Sequence, residues 1–373
     1  MRIAVNARLL VGQRLEGMGL YTLEVLKQLL ARRPSDDFLL VCDRPGPLPD
    51  LPRAVERVTV GPPARHPLLF WAWFELSVPR ALRRWGAEAF VSLENFCSLR
   101  APTPTLLVVH DLAYRHVPQG VSPLVLAYYR RYMPRFVRRA EALVTVSEAT
   151  RRDVSEAFGV PADRIAVAYN GVRARFGRLS PKRVADVRQR LTGGAPYFVY
   201  VGAVHTRKNV DGLVRAFTRF KAGTGLPHRL VIAGRMAWQT GPVAEAIAAS
   251  PVREHVVATG YLEEDELGEV IGAADALALV SLFEGFGVPV VEAFACGVPV
   301  LVSDRSSLPE VAGPGGLTVD PTDEGAVARG LARLATNDDL RRRLAEAAAR
   351  HAERFTWARA GEVVSAQIDG LGG

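Results

Sequence analysis

Cysteine is scarce in this sequence: Cys42, Cys97 and Cys296 are the three in 373 residues. An odd number so widely spaced builds neither a disulfide framework nor a metal cluster, and a reducing cytosol is the expected compartment. Lysine is also scarce, with Lys27, Lys182, Lys208 and Lys221 the only ones among 47 basic residues. No apolar run reaches about 18 residues, so no transmembrane helix is expected. The opening Met1–Ala7 has an apolar stretch too short for a secretory signal and reads as a strand. There is no G-x-x-x-x-G-K-[ST], which excludes a P-loop NTPase, and no G-x-S-x-G elbow, against an α/β-hydrolase. With no D-x-D and no His/Cys cluster at metal spacing, a metal-dependent mechanism lacks support.

What is there is ordinary for a globular chain: 49% hydrophobic and 23% charged residues exclude a disordered tail, a collagen-like chain and a coiled coil. The length fits roughly two domains, each able to bury a core. Charge is uneven. Residues 1–190 hold 30 basic and 17 acidic side chains, and residues 191–373 hold 17 and 22. A basic first half suits an anionic partner, whether nucleic acid, a membrane surface or a phosphorylated substrate, or it simply solvates the surface.

Short apolar runs alternate with helical patterns. Strands are expected at Ile3–Asn6, Phe38–Cys42, Ala89–Leu93, Leu106–His110, Leu143–Val146 and Ile165–Ala168. A helix opens at Gly17-Met18-Gly19, and another runs Glu148–Phe158 between an N-cap Ser147 and a terminal Gly159. The pattern restarts with strands at Tyr197–Val201, Leu230–Ala233, Val256–Thr259, Ala276–Val280 and Val298–Val302. Helices Val210–Phe220, Glu264–Ala273 and Val288–Ala295 lie between them. Continuous apolar strands alternating with helices give an α/β fold class: two doubly wound, Rossmann-like domains joined near Arg173–Gly194. Ligands in such sheets bind at the carboxyl ends of strands, so two facing sheets would enclose a cleft.

Four segments carry chemistry. In Ser281–Ala293, Glu284 is placed at a strand end, exposed to the cleft, and Glu292 about one turn into the next helix. Gly285 and Gly287 allow close backbone approach, and the helix start suits phosphate. Two carboxylates at E-x7-E can each accept two hydroxyl hydrogen bonds, the chemistry that sugar and ribose diols demand; the same spacing also suits two surface glutamates flanking a turn. In Val201–Asn209, Arg207 and Lys208 stand between a strand and a helix, where two cations would neutralise a diphosphate, or would merely solvate a turn. His110 closes an apolar strand, facing the cleft or satisfied by Asp111. The loop Glu16–Tyr21 matches a dinucleotide fingerprint only weakly, with Thr22 where the last glycine belongs.

Taken in order, Tyr197–Gly202 with Arg207-Lys208-Asn209, Glu284 with Glu292, His110-Asp111-Leu112, Val146-Ser147-Glu148 and Tyr169-Asn170-Gly171-Val172 resemble the retaining glycosyltransferases of GT-B fold, family 4 (glycosyltransferase group 1). The resemblance covers nearly the whole chain and implies a hexosyltransferase using a nucleotide-sugar co-substrate, with no metal or other cofactor. It implies an acceptor-side domain at 1–175, a nucleotide-sugar domain at 176–356, and a C-terminal helix, 357–373, packing back on the first. By the same resemblance, His110, Glu284, Arg207 and Lys208 would be catalytic. Arg207 and Lys208 would hold the diphosphate, Glu284 the donor sugar's hydroxyls and Glu292 the ribose. Gly17, Gly19, Gly202, Leu262, Phe286, Gly287 and Val288 would line the donor site, with the base near Tyr261 and Leu262. One departure is Ala203, where many members carry arginine, which throws phosphate neutralisation onto Arg207 and Lys208. Retention in the family is ascribed to front-face attack, the departing phosphate taking the acceptor's proton.

The aromatic Pro67–Leu76, followed by Arg80, Arg83, Arg84 and Trp85, and the basic Tyr128–Arg139 would suit docking on anionic lipid; alternatively their aromatics are core and their arginines a solvated face. The expected partners are a glycan or polyprenyl-diphosphate-linked acceptor and, peripherally, the inner face of the plasma membrane, with no nucleic acid. A nucleotide-sugar epimerase and a non-catalytic nucleotide-sugar binder stay open as alternatives.

Overall fold

The computed structural model describes residues 1–12, 15–235 and 241–371. The chain divides into two compact units, Met1–Gly171 with the segment from Thr356, and Val172–Phe355.

The first unit contains β1 (Arg2–Asn6), β2 (Asp37–Cys42), β3 (Glu56–Thr59), β4 (Ala89–Ser92), β5 (Thr105–Val109), β6 (Ala142–Thr145) and β7 (Ile165–Val167). They form one parallel sheet in the order β3-β2-β1-β4-β5-β6-β7. Its central strands β4 and β5 are buried along their whole length, as strands covered on both faces should be. Ser147 caps the helix Glu148–Phe158 by accepting from Thr150 N–H at 3.0 Å, and Gly159 ends it at φ 71°. The C-terminal helix Trp357–Asp369 packs on the helix Gly17–Arg32, where a Cβ on Gly361 would lie 2.2 Å from Gln28 Cβ. Residues 372 and 373 of the expected helix lie outside the described residues.

The second unit contains β8 (Tyr197–Val201), β9 (Arg229–Ala233), β10 (Val256–Gly260), β11 (Ala276–Leu279), β12 (Val300–Ser303) and β13 (Gly316–Val319). They pair in parallel in the order β10-β9-β8-β11-β12-β13. Strand order reverses between β1 and β4 in one sheet and between β8 and β11 in the other. These are the switch points where doubly wound sheets open a crevice beyond their strand ends.

Three differences from the sequence reading have physical causes. The junction falls at Gly171/Val172 rather than 175/176, because Arg173 pairs with Glu264 and Glu292 and so belongs to the second unit. The joining stretch is not all linker, since Pro181–Thr192 is a helix capped by Ser180. The strands β3 and β13 were not anticipated: each is a four-residue edge strand with polar or small residues.

The aromatic segment divides between core and surface. Trp73 and Phe74 are fully buried, and Trp73 Nε1 donates to the Val60 carbonyl at 2.7 Å. Leu68, Leu69 and Trp71 are exposed. In the helix Pro123–Arg139, Tyr128, Met133, Phe136 and Val137 are buried while Arg130, Arg131, Arg135 and Arg138 face solvent.

Candidate active site

Arg207 and Lys208 leave β8 on a short 3-10 turn, Thr206–Lys208. The turn is fixed from both ends. His205 Nδ1 accepts from Arg207 N–H at 3.2 Å, and Asn209 follows in the left-handed region at φ 55°. Asn209 Nδ2 donates to the carbonyls of Val280 (3.1 Å) and Pro321 (2.8 Å). Leu282 N–H donates to the Arg207 carbonyl at 2.9 Å. These bonds sew the loop after β8 to the loop after β11, across the switch point.

Glu284 sits in that second loop. The sequence reading put it at a strand end and exposed; β11 instead stops at Leu279 and the side chain is only 5% exposed. Arg207 donates to the Phe283 carbonyl, and Ser306 and Ser307 bond to the backbone of residues 284 and 286; together they turn the chain inward. Its carboxylate accepts from Lys208 Nζ at 2.5 Å, Arg207 Nη1 at 3.1 Å and Ser281 Oγ at 2.7 Å. Burial pushes the carboxyl up, but the Lys208 and Arg207 charges outweigh it and hold it at about 2. Glu284 is therefore an ionised acceptor at neutral pH, backed by two cations.

Glu292 is also buried, which rules out the reading of two surface glutamates. It lies in the helix Val288–Ala295, whose first turn carries Pro289 and whose preceding Gly287 adopts φ 101°. Its partner is Arg173, whose Nη2 donates to Oε1 at 2.6 Å. Burial dominates here and raises the carboxyl above its ordinary value despite Arg173. Phe286 stacks edge-on against Phe355 at 5.6 Å, so its side chain is core and only its backbone belongs to the loop. Gly202 (φ 140°) follows β8, and a Cβ on Gly234 would sit 1.9 Å from the Gly202 carbonyl oxygen, so only glycine fits there. Val288 is half-buried at the helix start; Leu262 is half-buried just beyond β10, next to the exposed Tyr261.

In the first unit, His110 follows β5 and is buried. It is not satisfied by Asp111, whose Oδ1 accepts from Ala113 N–H; its Nε2 instead donates to the Leu93 carbonyl at 2.9 Å. Burial lowers its pKa against the smaller opposing effects of Leu93 and Asp111. The ring is then neutral with its proton on Nε2, leaving Nδ1 as an acceptor. Gly17 and Gly19 begin the helix Gly17–Arg32; a Cβ would meet open space at Gly17 but the Leu9 carbonyl oxygen at 3.2 Å from Gly19.

Sequence reasoning missed two groups. Arg173 and Ser307 were hidden because their partners are distant in sequence, whereas Ser281 stands three residues before its partner Glu284 inside the segment already singled out. The second is a buried polar cluster at the β1/β4 switch point. Arg8 forms a two-pronged pair with Glu94, Asn6 Nδ2 donates to Glu94 Oε1 (2.5 Å) and Ser92 Oγ (3.0 Å), and Asn95 Oδ1 accepts from His110 N–H (2.6 Å). Its signal was present, because Ser92-Leu93-Glu94-Asn95 follows an apolar strand just as His110 does.

Two doubly wound units, one with paired cations and a buried carboxylate at its switch point, are the architecture of a GT-B fold. The family model described as Glycosyl transferases group 1 matches residues 183–351, and that described as Glycosyltransferase Family 4 matches 15–176. The chain belongs to the family 4, group 1 glycosyltransferases and is a hexosyltransferase. It is 26% identical to the O-antigen chain mannosyltransferase B of Escherichia coli over 358 residues, covering 92% of this chain and 93% of that protein. It is 31% identical over 242 residues to the MMP alpha-(1->4)-mannosyltransferase of Mycolicibacterium hassiacum; the match spans 63% of this chain and 56% of that one. The fold matches HepE of Anabaena, solved in complex with UDP-glucose, at TM-score 0.79 and 18% identity, covering all of both chains.

Proposed function

We propose that the chain moves a hexose, with retention of anomeric configuration, from a nucleoside-diphosphate sugar of GDP-mannose or UDP-hexose type to a glycan or lipid-linked acceptor, without a divalent metal. The observation that carries this reading is the buried Glu284 carboxylate, held ionised between Lys208 and Arg207 at the β8/β11 switch point. A sugar diol donates into such a carboxylate, while the two cations face the charge that develops on the leaving diphosphate. Positive charge that a metal would bring is then supplied by side chains. Mannose as the transferred sugar draws support from the two mannosyltransferase relatives. The α linkage in the name of the Mycolicibacterium relative is what retention gives from an α-configured donor.

In this reading the bond from the anomeric carbon to the phosphate oxygen breaks, and its electron pair leaves on the diphosphate. The acceptor oxygen bonds the same face of the carbon, and its proton passes to the departing phosphate oxygen. Glu284 orients the sugar and Glu292 the ribose. Lys208 and Arg207 stabilise the leaving group, and in the first unit His110 Nδ1 is the acceptor available to a hydroxyl hydrogen.

Thermal unfolding with a panel of nucleotide sugars, in EDTA and then with Mg2+, tests the donor. A ligand at about 100 times its dissociation constant adds about 2.7 kcal/mol, a rise of several degrees. One donor should stabilise the protein equally in both conditions, and chromatography should find its sugar on an acceptor. Stabilisation only with Mg2+ would overturn metal independence, and interconversion of the sugar without transfer would identify an epimerase.

Membrane contact fits the helix Pro67–Ala72, which leaves Leu68 71% exposed beside Leu69 and Trp71, with Leu124 52% exposed at the start of the helix Pro123–Arg139 that packs near it. No helix among the described residues is long and apolar enough to cross a membrane, and the attachment proposed is peripheral. Sedimentation with anionic vesicles should retain the protein, and Leu68→Ser with Trp71→Ser should weaken that retention about tenfold or more, each buried side chain being worth about 1.5–3 kcal/mol. Equal retention of the double variant would sink the assignment.

A further inference from the structure

The first unit has a concavity beside its edge strand β3. It is a groove of about 560 Å³ between the edge strand β3 and the helix Val78–Trp85. That volume is in the range of small-molecule sites, about 300–1,000 Å³. Leu39, Val58, Val60 and Ala81 give it an apolar floor, and Trp85 stands among its lining residues. Arg57, Arg80 and Arg84 also line it, against one carboxylate, Glu56.

The charges are not equivalent. Glu56 accepts from Trp85 Nε1 at 3.1 Å. Arg57 donates to the carbonyls of Gly46 (2.7 Å) and Arg44 (3.3 Å), which fixes it to the loop after β2. Among the described residues Arg80 donates only to the Leu76 carbonyl in the turn before its helix, and Arg84 makes no hydrogen bond or ion pair. Arg80 and Arg84 are four residues apart on one helix face, a like-charge arrangement that disfavours an isolated helix. An anion placed between them reverses that sign. An apolar floor beneath a pair of unneutralised guanidinium groups is complementary to one kind of molecule, a hydrocarbon chain ending in phosphate.

We propose that this groove binds a single lipid phosphate, with the chain over Leu39, Val58, Val60 and Ala81 and the phosphate between Arg80 and Arg84. It would hold the lipid portion of the acceptor, and so rests on the lipid-linked acceptor of the proposed function. The location supports this. The groove helix continues the helical run that starts at Pro67, and the exposed Leu68–Trp71 stretch begins about ten residues, or ~15 Å, earlier along the same run. A membrane-docked enzyme would meet its lipid there.

The test uses the full chain and dodecyl phosphate below its micelle concentration, with dodecanol and inorganic phosphate as the two half-ligands, measured by calorimetry. Dodecyl phosphate should bind with one-to-one stoichiometry and each half-ligand at least about tenfold more weakly. Arg80→Ala with Arg84→Ala should weaken dodecyl phosphate binding about tenfold or more, the effect of losing charged hydrogen bonds. Ala81→Phe should abolish it by filling the floor. Both variants should keep the donor-induced thermal shift of the wild type, which separates loss of the groove from loss of the fold or of the donor site. Equal binding of dodecanol would mark a plain apolar patch, and equal binding of inorganic phosphate a free-anion site. Unchanged affinity in the arginine variant would remove the phosphate from this place. Any of the three overturns the proposal, whether or not the donor reading stands.

Discussion

Glu284→Gln is expected to reduce kcat/KM for transfer by about 10²–10⁴-fold, the cost of two charged hydrogen bonds at about 1.5–3 kcal/mol each. Lys208→Ala should lose about 10²–10³ in kcat, as when one group facing a developing oxyanion is removed. The pH behaviour gives a second readout. In the folded protein the Glu284 carboxyl titrates at about 2, below its ordinary 4.5, because Lys208 and Arg207 outweigh its burial. A depressed carboxyl stabilises the fold above its unfolded value and loses that contribution as pH falls from about 4.5 towards 2. In Lys208→Ala the burial is opposed by Arg207 and Ser281 alone, so the carboxyl rises and the acid-unfolding limb should move to higher pH. Circular dichroism across pH 2–6 at fixed temperature reads this without any substrate. An unchanged acid limb would mean that Lys208 does not hold Glu284 in solution, and full transfer activity in both variants would dismiss the site.

Why these residues were legible while others were not follows from where their partners lie. The strands β4, β5, β8 and β11 are unbroken apolar runs because both faces are covered, and such runs stand out. Edge strands have no such constraint, and Glu56–Thr59, mostly exposed and with Val58 its one apolar residue, reads like a loop. Loops after strands are where a sheet presents chemistry, which is why Arg207, Lys208 and His110 could be singled out. The same rule picks out Glu94 and Asn95, but no matched spacing drew attention to them. Arg173 is different. It sits 119 residues from Glu292, and only the folded second unit joins them. The exposure expected for Glu284 failed for a related reason: the serines that turn its loop inward come from 306 and 307, beyond the next strand.

Arg173→Met should make donor use strongly pH-dependent. The guanidinium is 15% exposed and Glu292 4% by side chain; Nη2 meets Glu292, Nη1 meets Glu264, and the Phe176 ring lies 4.9 Å away. Glu264 is itself shared with Arg175 at 3.2 Å, and the Cys296 thiol also feels the Glu292 charge. Even with Arg173 present, burial holds the Glu292 carboxyl above its ordinary value, with Glu264 adding a smaller push in the same direction. A raised carboxyl works against the fold as pH rises from its unfolded value of 4.5 through its higher folded value, the reverse of Glu284, and deleting the guanidinium raises it further. An ionised carboxylate left there unpaired would cost about 3–5 kcal/mol, so the group takes up a proton instead. If Glu292 holds the ribose as proposed, a protonated Glu292 would grip the diol less well, charged hydrogen bonds being about twice as strong as neutral ones. The donor KM at neutral pH should therefore rise about tenfold, with a smaller change in kcat, as loss of uniform binding requires. The acid limb of kcat/KM should shift upward in Arg173→Met and return in Arg173→Lys. Arg173→Met with Glu292→Gln should have no such limb and should lose little beyond Glu292→Gln alone. A loss in Arg173→Met that is the same at every pH would show Arg173 to be a structural strut rather than the group that keeps Glu292 ionised.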